Sequence, residues 1–322
     1  MEMRPFKPFG SVSALTLGGG GLGQIWGQTS RDEAVATTRM AVDCGITHFD
    51  MAPMYGRGEA ERVIGEAFKG TDTSKFHFTT KYRLGHVDHA ITYDKLNASL
   101  TRSLATMGIE RADLFFLHSQ LIEDGHVLYQ LDEHRDRLAT PRSYLFESVV
   151  PAFERLKKEG KIGGWGFALG QESALEAVIA SDTPPSAVQC VVNPLNSAGN
   201  IAYTTETFDG QKILEACKQH HVPTLAIRAV QAGALTSAMD RELPDDDADR
   251  RDFDRAAGFR QLASEWGETP ARLAHRYALS IEGPSSVILG VKNREELSEC
   301  VEAEHAPRLT DSQCKQIEAA CA

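Results

Sequence analysis

The chain reads as an α/β protein, a single (β/α)8 TIM barrel over residues 1–322. Two observations predict it. Eight short apolar runs recur along 322 residues, with helical patterns between most of them. That alternation argues for parallel strands joined by crossover helices. The runs are also near-continuously apolar, as strands covered on both faces should be. Eight such units fit one barrel of this length. A doubly wound sheet is the alternative, but no strand is followed at once by GxGxxG and a helix.

VSALTL (12–17) is the first expected strand. The glycine-rich LGGGGLGQIWG (17–27) follows and reads as a flexible loop at the barrel mouth. The first helix begins only near Ser30, a good N-cap before Asp32 and Glu33. GITHFD (45–50), KFHFTTKY (75–82) and ADLFFLHS (112–119) supply strands two to four. The helix-like YLFESVVPAFERLKKEG precedes the fifth, IGGWGFAL (162–169). AVQCVVNPL (187–195), VPTLAIRAV (222–230) and SSVILGV (286–292) complete the set. Two connections are long, 119–146 and 231–257. The second contains LPDDDADRRDFDR, which reads as solvated and charged. At the C-terminal face of a barrel such loops surround the active site.

Composition narrows the function. The chain is 42% hydrophobic and 25% charged, an ordinary globular balance. A net charge of -11 without any basic run repels nucleic acid phosphates and anionic membrane surfaces, so neither is an expected partner. MEMRPFKPFG does not resemble a signal peptide, and no run of about eighteen apolar residues suggests a membrane span. The cysteines 44, 190, 217, 300, 314 and 321 are scattered, with no CxxC pair and no His/Cys spacing for zinc. They read as reduced thiols of a cytoplasmic protein, and no metal site is expected.

Four reactive side chains fall in equivalent places. Asp50 ends the second strand and Tyr55 follows in its loop. Lys81 ends the third strand, and His118 the fourth. In a parallel barrel these ends converge on one face. A phenol has a pKa of about 10. A nearby ammonium, Lys81, pulls it toward the working range, and Asp50 serves as counter-ion to that lysine. His118 can orient a carbonyl oxygen. Such an assembly is a proton donor aimed at a carbonyl. The hydride must come from elsewhere, so a nicotinamide is implied. Taken singly, each residue has a plainer structural explanation; taken together they do not.

FDMAPMYGRGEAERVIGEAF (49–68), TKY and LFFLHS resemble the signature and strand ends of the aldo-keto reductase superfamily, and the resemblance runs from VSALTLG to ILGVKNREELSEC. It implies a (β/α)8 barrel and reversible NAD(P)H-dependent interconversion of aldehyde or ketone and alcohol. Tyr55 would be the general acid, tuned by Lys81 and Asp50, with His118 orienting the substrate. The cofactor half departs from the family pattern. Gly166, Phe167, Ala168 and Leu169 stand where the family has Gly-Val-Ser-Asn. Gln189 matches the glutamine at the carboxamide, and Ile227 replaces the stacking aromatic. The stretch 228–237, with Arg228, Val230, Gly233 and Leu235, resembles the pyrophosphate-covering loop. Gly19, Gly20 and Asp50 also fall on cofactor-binding positions. Gly290, Lys292, Asn293, Glu296 and Glu299 fall in the adenosine-phosphate loop, where backbone N–H groups at a helix N-terminus can hold an anion. Lys292 and Arg294 favour NADP(H) over NAD(H), and Glu296 opposes it. Trp26, Met54, Tyr55 and His118 are the expected substrate lining. The glycine-rich start and FDxAPxYG resemble sugar- and pyridoxal-oxidising branches, so a small, sugar-like carbonyl or alcohol is an expected substrate. Two alternatives remain: a nicotinamide-binding regulatory subunit, and a barrel enzyme using Lys81 as a Schiff base.

Overall fold

The computed structural model describes residues 1–201 and 208–321, apart from the side chains at 129 and 130. Eight parallel strands close into a barrel. They are β1 (Leu15–Gly18), β2 (His48–Asp50), β3 (His77–Tyr82), β4 (Ala112–Leu117), β5 (Ile162–Phe167), β6 (Ala187–Val191), β7 (Thr224–Ile227) and β8 (Pro284–Leu289). Each pairs with its chain neighbours, and β8 closes on β1 through Val287 opposite Leu15.

The first apolar run splits in two. Val12 and Ser13 belong to an antiparallel hairpin, Met3–Phe6 with Gly10–Ser13, and only from Leu15 does the chain enter the barrel. The hairpin has a structural job. Phe6 and Val12 are buried against Leu114, Phe116, Ala187 and Leu225, and so plug one end of the barrel interior. Above them lies a polar layer. His48 Nδ1 is 3.0 Å from Thr16 Oγ1 and its Nε2 is 2.8 Å from Thr79 Oγ1, while Thr16 also meets Ser286. Burial holds the His48 pKa down to about 3, so this imidazole is neutral and both of its nitrogens are satisfied.

Side chains alternate along a strand, so the interior row continues upward at every second residue. His48 leads to Asp50, Thr79 to Lys81, Phe116 to His118, and Ala187 to Gln189. The strand registers set Asp50 opposite Thr79 and Lys81 opposite Phe116, which brings these polar groups to one level at the strand C-termini.

The glycine-rich stretch is an ordered, buried helical turn, Gly19–Leu22, and not a flexible loop. Close approach is the reason. A Cβ at Gly21 would collide with the Val291 carbonyl oxygen, and one at Gly23 would lie 2.6 Å from the Tyr55 carbonyl carbon. The helix Arg31–Asp43 starts as expected, with Ser30 accepting from the Glu33 amide at 3.1 Å.

Both long connections are structured. The one after β4 contains a parallel pair, Gln120–Ile122 with Ala139–Pro141. The one after β7 contains the helix Ala248–Arg255, whose Asp249 and Asp252 are buried, contrary to the solvated reading. They are buried because they hold Arg228 and Gln231. Arg228 Nη2 lies 2.6 Å from Asp249, Arg228 Nε donates to Gln231 Oε1 at 2.7 Å, and Gln231 Nε2 donates to Asp252 at 2.7 Å.

Candidate active site

The four side chains expected from the strand ends meet. Lys81, fully buried, donates to Asp50 Oδ2 at 2.5 Å, to the Met51 carbonyl at 3.2 Å and to the Tyr55 hydroxyl at 3.3 Å. Gln189 Nε2 donates to the other Asp50 oxygen at 2.8 Å. Both Asp50 oxygens therefore accept, as in an ionised carboxylate facing an ammonium. The Tyr55 ring stands edge-on to His118, with centroids 5.7 Å apart.

Tyr55 comes from a loop, and the loop is held on both sides. Its amide donates to the Ala52 carbonyl, and Gly23 packs on its backbone from the β1 loop. Gly56, at φ 59°, packs in turn against the Gly23 carbonyl oxygen. Sequence reasoning missed this glycine pair, because nothing local marks Gly23 as the seat of a residue in another loop.

The electrostatics amend one expectation. Lys81 does pull the Tyr55 pKa down, but burial, aided by the Asp50 charge, pushes it up further, and the net shift is upward. Lys81 is already committed to Asp50. For Lys81 itself, burial acts to lower its pKa but is outweighed by Asp50 and Tyr55, so it remains an ammonium. Tyr55 is thus a firmly protonated phenol before substrate binds. Burial, and then the charges of Lys81 and Arg83, hold His118 well below the ordinary histidine range. A neutral imidazole results, and its Nδ1 is buried with no partner among the described residues. Two uncharged donor-capable groups over a buried ammonium can bind a carbonyl oxygen and hand it a proton.

The cofactor positions are arranged around β5 to β8. Ala168 is buried and offers no side-chain hydrogen bond. Gln189 spends its amide on Asp50, leaving Oε1 without a donor among the described residues, an acceptor fit for a carboxamide N–H. Ile227 ends β7 half-buried. Beyond it the backbone turns left-handed at Arg228 (φ 59°), Gln231 (44°), Ala232 (49°) and Gly233 (94°). The turn is bonded to itself, with the amides of Gln231, Gly233, Ala234 and Leu235 donating to carbonyls at 228, 230 and 231, and such strain concentrates at functional sites. Val230 packs against, and Leu235 lies in, a separate core with Phe259 and Leu273. These features fit a nicotinamide dinucleotide.

Trp26 departs from its expected place. Its ring lies against Gly290, faces the position of Gly20, and has the guanidiniums of Arg228 and Arg241 at 5.8 and 5.6 Å. That is the β7–β8 side of the mouth, among the positions expected to meet the cofactor. Met54, by contrast, is exposed at the rim beside Arg83. The adenosine-phosphate loop is also closed on itself. Glu296 accepts from the Lys292 amide and from Lys292 Nζ, both at 2.8 Å, and Lys292 Nζ also pairs with Asp240 at 2.7 Å. Asn293 caps the helix by accepting from the Glu296 amide at 2.9 Å. Arg294 forks onto Glu33, at 2.9 Å for its Nη2. Glu299 faces a neighbouring helix, where the Thr269 hydroxyl donates to it. Both cations that favoured NADP(H) are thus engaged by carboxylates.

A closed (β/α)8 barrel with a phenol, an ammonium and an imidazole at the strand C-termini defines a class of nicotinamide-dependent oxidoreductases. The Aldo/keto reductase family model matches residues 14–322, and the chain belongs to that family. It is 24% identical over 306 residues to an L-galactose dehydrogenase of Arabidopsis thaliana, covering 94% of this chain and 88% of that one. It is 24% identical over 332 residues to an NADP(+) aldo-keto reductase of Schizosaccharomyces pombe, covering 97% and 89%. An aldo-keto reductase of Bacillus halodurans in its holo form superposes with a TM-score of 0.72 at 19% identity, over 99% of this chain and 96% of that one, which shows the shared fold. The protein is an NAD(P)-dependent oxidoreductase. Among the described residues no helix is long and apolar enough to cross a membrane.

Proposed function

We propose that the chain interconverts a small aldehyde or ketone and its alcohol, with Tyr55 as the proton donor to the carbonyl oxygen. One observation carries this reading: the Tyr55 hydroxyl lies 3.3 Å from the buried Lys81 ammonium while its ring edges His118. A reduced nicotinamide supplies the hydride when bound. The rest falls to the side chains. Tyr55 and His118 bind the carbonyl oxygen, and Tyr55 gives it a proton as negative charge develops. Lys81 stabilises the phenolate that remains, and Asp50 keeps Lys81 charged in a dry site. Gln189 holds Asp50 and offers its free oxygen to the carboxamide. The raised Tyr55 pKa supports reduction as the easier direction at neutral pH, because the donor starts protonated. Sugar-like alcohols and carbonyls belong in the first substrate screen, on the strength of the L-galactose dehydrogenase relative.

For the cofactor, the engagement of Lys292 and Arg294 by carboxylates supports NADH, with the Glu296 carboxylate unfavourable to a 2′-phosphate. Titration with NADH and NADPH, followed by tryptophan fluorescence with Trp26 beside Gly290, tests this. NADH is expected to bind more tightly by about tenfold, about 1.4 kcal/mol, which one close charge contact readily supplies. Glu296→Gln narrows that ratio. Tighter NADPH binding by the native chain returns the preference to Lys292 and Arg294.

Tyr55→Phe tests the core assignment. It is expected to lower turnover by about a thousandfold or more while NADH still binds. Retained turnover removes Tyr55 from the acid role. If NADH binds the native chain but no carbonyl or polyol is turned over, the nicotinamide-binding regulatory subunit becomes the better description.

A further inference from the structure

One cation at the barrel mouth has no part in the reaction described above. Arg83 stands two residues beyond Lys81, the next position of the same inward row, just past the end of β3. It is half-buried. Its Nη2 lies 3.8 Å from the sulfur of Met54, the residue before Tyr55. A thioether is a feeble acceptor for a guanidinium. No carboxylate, carbonyl or hydroxyl among the described residues accepts from Arg83. Several arginines near the strand C-termini are paired: Arg31 and Arg62 share Glu59, Arg142 holds Glu123, and Arg228 holds Asp249, while Arg57 of the Tyr55 loop is exposed to solvent and Arg83 is half-buried. The Arg83 fork therefore stays open at the barrel mouth, next to the loop that carries Tyr55. Its charge reaches the reacting groups, acting to lower the pKa of both Tyr55 and His118.

The geometry around this arginine is that of a substrate arm. Met54, the residue before Tyr55, is 40% exposed and sets an apolar surface beside the guanidinium. The planar fork of an arginine suits a carboxylate or a phosphate, each able to take two parallel hydrogen bonds. We propose that Arg83 anchors an anionic group of the substrate, so that the preferred substrates are short aldehydes or ketones carrying a carboxylate or phosphate a few atoms from the carbonyl. The proposal rests on the assignment of Tyr55 and His118 as the carbonyl site and adds the substrate class. Arg83 sets specificity; it takes no proton and forms no bond.

The test compares matched pairs: succinate semialdehyde against butyraldehyde, and glycolaldehyde phosphate against glycolaldehyde. With the native enzyme, kcat/KM for the anionic member of at least one pair exceeds that of its neutral partner by about tenfold or more, mainly through KM. The pair showing the larger ratio identifies carboxylate or phosphate. Raising the ionic strength shrinks the ratio, as it must for a half-exposed ion contact. Arg83→Gln brings the ratio to near one, and Arg83→Lys, which keeps the charge but loses the fork, falls between. A native ratio near or below one for both pairs overturns the anchor. So does an equal loss on anionic and neutral substrates in Arg83→Gln, which would make the residue a support for the Tyr55 loop. Turnover of the neutral aldehydes without discrimination refutes the anchor alone. Failure to turn over any of the four refutes the carbonyl-site assignment, and the anchor with it.

Discussion

Replacing Asp50 by Asn keeps the shape of the site and removes one charge, leaving Lys81 buried without its counter-ion. In the native chain Lys81 is fully buried, and its partners are a carboxylate at 2.5 Å, a carbonyl at 3.2 Å and a phenol at 3.3 Å. Only the carboxylate is charged. Breaking a buried pair by removing one partner costs about 3–5 kcal/mol. At roughly 2 °C of melting temperature per kcal/mol for a large domain, Asp50→Asn should melt about 6–10 °C lower at pH 7. The pH dependence has a definite sign. In the native protein the folded Lys81 pKa is raised, so its contribution is present below the unfolded lysine pKa of about 10.4 and is lost as pH rises through the folded value above that. In Asp50→Asn the raising influence of the carboxylate is gone and burial pulls Lys81 down. Its cost then shrinks as pH rises from the lowered folded value toward the unfolded value of about 10.4 and vanishes above it, where the amine is neutral in both states. Thermal melts of native protein, Asp50→Asn and the double variant Asp50→Asn/Lys81→Met, run from pH 7 to 10, read this out. The double variant should regain part of the loss, since no charge is left to bury. If Asp50→Asn is as stable as native protein at pH 7, or the double variant is no more stable than the single one, the ion-pair argument fails.

Two further outcomes follow from the geometry. Gly23→Ala places a methyl 2.6 Å from the Tyr55 carbonyl carbon, so the loop must shift; kcat should fall by about tenfold or more while NADH affinity changes little, checked by steady-state kinetics beside fluorescence titration. His118, held well below the ordinary histidine range, should contribute no inflection near pH 6.5 to kcat/KM; an inflection there that disappears in His118→Gln would contradict its neutral state.

The barrel and its catalytic cluster were legible because they rest on local patterns. Eight near-continuously apolar runs mark the strands, and the alternation of side chains along each strand brings Asp50, Lys81, His118 and Gln189 to one level, whichever helices pack outside. Strand ends read less well: β7 stops at Ile227, three residues short of the apolar run, and the first run holds two elements, because apolar residues serve a plug hairpin as readily as a strand.

What the sequence alone determined is which side chains gather at the strand ends, since parity along a strand decides which of them face inward. What only the tertiary structure decided are partnerships between distant loops. Asp249 and Asp252 looked solvated until Arg228 and Gln231 were seen to bury them. Lys292 and Arg294 carry charges suited to a phosphate, but Asp240, Glu296 and Glu33 hold them, and Trp26, expected in the substrate lining, has its ring against Gly290 and near Arg228 and Arg241. Arg83 stands out for the opposite reason: it is half-buried beside Met54 at the barrel mouth, and no carboxylate among the described residues holds its charge. A charge declares its type in the sequence, but its partner is set by the path of loops whose register no periodicity controls.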